Sequence, residues 1–138
     1  MKNISLDWLK KNNACDDAVK LFTKQRLRNP ILIIKKIMKD DSLDYANWLI
    51  VRVMERKQYL KYALYTAEQM THLNDTKENR ECIKAVKKVI KNDTQKNRNA
   101  AHAAAYAATY ADGAAYADGV KKQMQIKILK YGLSLLEV

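Results

Sequence analysis

The chain has 138 residues, enough for one folded domain with a core and too few for two comfortable ones. Hydrophobic residues make up 48%, but seventeen positions are Ala, and only three Gly and one Pro are present. Sandwiches and barrels need a turn about every 8–12 residues, so this composition excludes them in favour of helix. Twenty-six Lys and Arg against fifteen Asp and Glu leave a formal charge of +11, spread along the chain with no basic tail. Such a field suits a nucleic acid, an anionic surface or an acidic protein as partner, or serves solubility alone.

In chain order, Ser5 predicts a cap for a short helix, Leu6–Lys11, with Asp7 near its positive end. Asn12 and Asn13 interrupt it. A second helix is expected over residues 14–28, with Cys15, Val19 and Phe22 inward. Asn29-Pro30 reads as a cap followed by Pro at the first helical position. The apolar run at 31–38 is dense enough for a buried strand, but that start signal and its helical neighbours favour a helix. Asp40-Asp41-Ser42 separates it from Leu43–Val53, which carries Trp48 and Leu49.

A longer helix follows, to about residue 73. Leu60, Ala63, Leu64, Ala67 and Met70 recur on its expected core side, with Tyr59, Tyr62, Tyr65, Gln69 and His72 on a neighbouring stripe. Asn74-Asp75-Thr76 breaks it. The next helix is predicted over 78–90 with Ile83, Val86, Val89 and Ile90 inward, and a polar linker over 92–99. Residues 99–136 then read as one long helix, because Ala is the best helix former. Asp112-Gly113 and Asp118-Gly119 resemble hairpin signals, but their Ala-rich flanks make poor strands. The predicted fold is all-α: a single domain over residues 1–138, a bundle of about six helices around that long Ala-rich C-terminal helix.

Chemistry is sparsely signalled. Cys15 and Cys82 stand apart from each other and from any His, which favours buried structural thiols in a reducing compartment. His72 has Glu68 one turn back and nothing further, His102 has no acid within a turn, and Asp112 and Asp118 do not converge on one ion. No nucleotide, metal or nucleophile motif occurs. We therefore expect no catalytic residue, cofactor or metal. No apolar run reaches membrane-span length, and residues 1–11 lack the core of a signal peptide. A cytoplasmic protein without a membrane partner is expected, in a bacterial cell or a phage-infected host.

Binding is better signalled. Arg80, Lys84, Lys87, Lys88 and Lys91 fall on one helix face, and Arg52, Arg56, Lys57 and Lys61 form a second basic group. Tyr59, Tyr62 and Tyr65, with Tyr106, Tyr110 and Tyr116, line either a polar-seamed core or a groove for a partner. No aromatic interleaves the 80–91 stripe, so base reading is not indicated. The stripe is either a solvated face or a contact surface. Candidate partner-binding residues are Arg80, Lys84, Lys87, Lys88, Lys91, Arg52, Arg56, Tyr59 and Tyr62.

Several blocks also carry a resemblance. Asp44-Tyr45-Ala46-Asn47-Trp48-Leu49 is followed by Tyr59-Leu60-Lys61-Tyr62-Ala63-Leu64-Tyr65-Thr66-Ala67-Glu68. Then come Arg80, Cys82-Ile83 and Ala85, the Ala-rich run, and Gln125-Ile126-Lys127-Ile128-Leu129-Lys130-Tyr131-Gly132-Leu133. In this order they resemble the small immunity-protein family of bacterial polymorphic-toxin systems, found also in phages and prophages. The likeness spans most of residues 6–136. An Arg-Pro-Arg-x-Ala-Ile block frequent in that family is represented here by Arg80-Glu81-Cys82-Ile83, without the Pro. The resemblance implies an all-helical, non-enzymatic inhibitor that binds and blocks a protein target, a toxin or, in a phage setting, a host defence protein in an anti-CRISPR-like role. The alternative expectation is a nucleic-acid-associated protein that touches phosphates without reading sequence.

Overall fold

Caps and side-chain clasps set the helix ends. The computed structural model describes residues 1–101 and 118–137, and all regular structure among them is helical. The elements are α1 (Leu6–Lys11), α2 (Asp16–Lys24), α3 (Pro30–Lys39), α4 (Leu43–Val53), α5 (Arg56–Leu73), α6 (Lys77–Lys91), a helical stretch at 95–101, and α7 (Asp118–Leu136). Among the described residues, no helix is long and apolar enough to cross a membrane. Residues 102–117, which hold most of the Ala-rich run with His102, Tyr106, Tyr110, Tyr116 and Asp112-Gly113, lie outside the described residues. Asp118 and Gly119 are helical, within α7.

The chain divides into two compact units, Met1–Val53 and Met54–Leu136. In the first, Ser5 accepts from the Trp8 amide at 3.1 Å and Asn29 from the Leu32 amide at 3.2 Å, so α1 and α3 begin where their caps predict. Both end in the same way. Asn13 and Asp41 take left-handed backbone angles, φ 57° and 59°, a conformation that Asn and Asp tolerate better than other side chains. Behind them the Ala14 amide reaches Leu9 O at 3.0 Å and the Ser42 amide reaches Ile37 O at 3.1 Å, closing Schellman turns. Ile34, Ala46 and Ile50 are fully enclosed in this unit.

α2 is shorter than the pattern suggests. It stops at Lys24 because Gln25 turns extended and organises a loop on its own amide. Gln25 Nε2 donates to Phe22 O at 3.2 Å and Leu27 O at 2.9 Å, while its Oε1 accepts from the Leu27 amide at 2.7 Å. At its other end the cap residue is Cys15, which is exposed rather than buried. Only Cys82 is the enclosed thiol that the sequence suggests for both.

In the second unit α5 packs on α6 and on α7. Gln58 serves two ends at once: its Oε1 accepts from the Glu55 amide at 2.9 Å, and its Nε2 donates to Leu135 O of α7 at 3.0 Å. The core side of α5 is broader than the expected line, taking in residues of the neighbouring stripe. Tyr62, Ala67 and Gln69 are buried, whereas Leu60, Ala63, Leu64 and Met70 are half-buried and His72 is exposed. On α6, Asn79, Cys82, Val86 and Val89 face inward, Ile83 is half-buried, and Ile90 lies outside at 44% exposure.

Two helix junctions here use one seven-residue code. Asn74-Asp75-Thr76-Lys77-Glu78-Asn79-Arg80 leads into the first turn of α6, and Asn92-Asp93-Thr94-Gln95-Lys96-Asn97-Arg98 follows that helix. In each, the Thr hydroxyl accepts from the Asn amide three residues on, at 3.1 Å. That Asn side chain donates back to the carbonyl of the first Asn, at 2.9 Å and 2.8 Å. The Arg then closes on the Asp. Residues 95–101 are therefore a capped helix start, not the polar linker expected from composition.

Candidate functional site

α6 is amphipathic with little overlap between its faces. Cys82 and Val86 pack with Ala67 of α5, supported by Ala63, Leu64 and Ile83. Arg80, Lys84, Lys87, Lys88 and Lys91 occupy the other face, and all five are exposed. From Lys84 to Lys91 they span about 10 Å at about 1.5 Å per residue. Lys88 and Lys91 sit in the last turn, where the helix dipole favours cations.

The expected site residues do not behave alike. Arg80 is held by Asp75 at 2.6 Å, closing the first junction. Arg56 makes two bonds to Asp93, at 3.0 and 3.2 Å, and lies 5.8 Å from the Tyr59 ring centroid. Arg98 grips the same carboxylate. The two guanidiniums hold Asp93 well below the usual carboxylate range, the hydrogen bond from Arg98 contributing most. Arg52 lies 4.1 Å over the Trp48 ring and donates to Trp48 O at 2.9 Å.

Lys84, Lys87, Lys88 and Lys91 differ from these. No described carboxylate stands within ion-pair distance of any of them. They are the uncommitted cations of the face, with the exposed side chain of Ile90 at its border.

The chain matches no family model, no curated protein and no solved structure.

The tyrosines divide too. Tyr62 is 4% exposed, so it is a core residue and cannot meet a partner as the surface grouping with Tyr59 implied. Burial pushes its phenol upward in pKa. Tyr65 stacks on Tyr131 of α7 with centroids 3.9 Å apart, inside the α5–α7 packing. Gln69 is buried beside this seam, and its Oε1 has no hydrogen-bond donor among the described residues. The described part of the Tyr stripe is thus mainly a polar-seamed core, with half-buried Tyr59 at its edge. Among the described residues, no three His, Cys, Asp or Glu side chains gather where they could hold a metal ion.

A feature that sequence spacing did not reveal lies in the first unit. Helices α1 to α4 leave a cavity of about 310 Å³, walled by Phe22, Ile33, Trp48 and Leu49, with Lys24 and Lys36 among its lining residues. It forms where four short helices meet, a non-local juncture that no periodicity along one helix encodes.

Proposed function

We propose that the chain is a non-enzymatic, immunity-type inhibitor that works by binding a protein target through the lysine face of α6. The observation that carries this reading is the contrast on and around that helix. Arg56, Arg80 and Arg98 are engaged by internal carboxylates, while Lys84, Lys87, Lys88 and Lys91 are left to solvent. Uncommitted cations on a rigid helix present a fixed positive pattern, which favours an acidic partner surface and speeds encounter with it. Exposed Ile90 beside them supports a protein partner over bare phosphates, because an apolar side chain gains nothing from a polyanion backbone. The resemblance to the immunity-protein family points the same way, with a toxin or a host defence protein as target. It also favours the finer architecture, a bundle around a long Ala-rich C-terminal helix, in a cytoplasmic setting.

At a net charge of +11, the chain would be repelled by a basic nuclease cleft, so the target surface is acidic, or the contact includes the nuclease's bound nucleic acid. The second reading is sequence-independent phosphate binding by the same lysines. One experiment separates the two. The immobilised chain is exposed to a nuclease-treated lysate carrying the candidate toxin or defence system, alongside the K84E/K87E/K88E variant. Inhibition by protein contact predicts a nuclease-resistant partner that the variant fails to hold. Capture that disappears on nuclease treatment, with binding to random duplex DNA that falls steeply with salt, supports the phosphate reading instead.

A further inference from the structure

The cavity of the first unit has the makings of a ligand site independent of the α6 face. Its volume, about 310 Å³, stands at the lower end of the range for small-molecule pockets, about 300–1,000 Å³. Its walls are deep-core side chains: Phe22, Ile33 and Leu49 are all buried. The aromatic part of the wall is braced from two directions. The Trp8 ring meets Trp48 edge-on at 6.1 Å and 86°, and Arg52 covers Trp48 at 4.1 Å. Arg28 covers Phe22 at 4.4 Å and bonds Gln25 O and Leu27 O, pinning the loop after α2. A wall fixed in this way stays open without a ligand, so little ordering is required when one enters.

The polar lining is asymmetric. Lys24 and Lys36 are exposed lining residues, with the hydroxyl-bearing Ser42 and Tyr45, and Asp40 is the one acid among the lining residues. Two ammonium groups against one carboxylate favour an anionic head over a neutral or cationic one. The exposed side chain of Leu21 adds apolar surface to the lining. A cavity at the small end of ligand-pocket volumes suits a single aliphatic chain rather than a multi-ring ligand.

We propose that this cavity binds a small amphipathic carboxylate, an aliphatic chain in the apolar well with its head between Lys24 and Lys36. The chain fills space that otherwise forfeits dispersion contacts, and the head stays partly hydrated at the lysines.

Both tryptophans of the protein, Trp8 and Trp48, belong to this unit, so intrinsic emission reports on the site. The full chain is titrated with decanoate below its micelle concentration, and with decanol and decyltrimethylammonium as neutral and cationic heads on the same chain. Saturable one-to-one binding of decanoate is expected, with decanol about threefold to tenfold weaker and the cation weaker still. Ala18→Phe, which places a ring into the lining, abolishes binding with an unchanged circular dichroism spectrum. Should that variant fail to fold, the surface pair K24Q/K36Q decides: it brings decanoate down to the level of decanol and leaves decanol unaltered. Absence of saturable decanoate binding, equal affinity for all three heads, or a folded Ala18→Phe chain that binds like the parent would each overturn the proposal.

Discussion

The two junction codes, 74–80 and 92–98, repeat the same Asn-Asp-Thr-x-x-Asn-Arg spelling but do different work. In the first, the Asn is sealed in the core, with Asn79 at 2% exposure, while the Asp75–Arg80 pair lies open to solvent. In the second the emphasis is reversed. Asn97 is only half-buried, and Asp93 is gripped both by Arg98 of its own junction and by Arg56, 37 positions away on α5. The local code makes a turn and caps a helix wherever it occurs. What surrounds it decides whether its amide or its carboxylate matters more.

Substitutions at equivalent positions test that division. The largest difference is expected at the amides. Asn79→Ala removes a buried amide that donates to Asn74 O, an oxygen that keeps its bond from the Thr76 amide, and leaves a void in the core, at a cost of about 1–3 kcal/mol. Asn97→Ala breaks the same bond near solvent and should cost about 0.5–1.5 kcal/mol. Urea denaturation of the two variants measures both, and equal midpoints would erase the distinction. The caps come next: Thr76→Ala and Thr94→Ala each lose a hydroxyl acceptor, and about 1 kcal/mol apiece is expected in the same assay.

The carboxylates complete the comparison with the smallest effects and the opposite ranking. Asp93→Asn should lower the urea midpoint, and Asp75→Asn should leave it nearly unmoved, since a single exposed pair is weakly stabilising. Acid sharpens this further. Asp93 titrates far lower when folded than its ordinary value of 3.8, so the unfolded chain takes up its proton first as pH falls. Its contribution is therefore complete above that value and is lost progressively below it. Between pH 5 and pH 2 the wild type should lose more stability than Asp93→Asn, and the two slopes should coincide if Arg56 and Arg98 contribute nothing.

These junctions also mark what could be read from the sequence. Ser5, Asn29 and Pro30 announce α1 and α3 because a cap acts within four residues, and the bounds of α1 and α4 follow from local signals alone. The end of α2 is not legible in that way, because Gln25 competes for backbone groups that helix periodicity assumes are used within the helix. The helix start at 95 was legible in principle: the code at 74–80 recurs eighteen positions later, but a polar composition conceals it. At the candidate site, spacing on α6 placed all five cations on the exposed face. It could not show that Arg80 and Arg56 are already engaged, the latter by a partner distant in sequence. Nor could it show that Tyr62 turns inward, since α5 carries two adjacent stripes and tertiary packing on two neighbours uses both.

The central functional claim is that the free lysines of α6 steer association with an acidic protein surface. Once a protein captured by the wild-type chain is in hand, stopped-flow association of wild type and K84E/K87E/K88E at low and high salt tests it most directly. The account predicts an association rate lowered by about tenfold or more in the variant at low salt, a dissociation rate changed much less, and a gap that narrows as salt rises. Equal association rates at low salt, in a variant that unfolds at the same temperature as the parent, would contradict it.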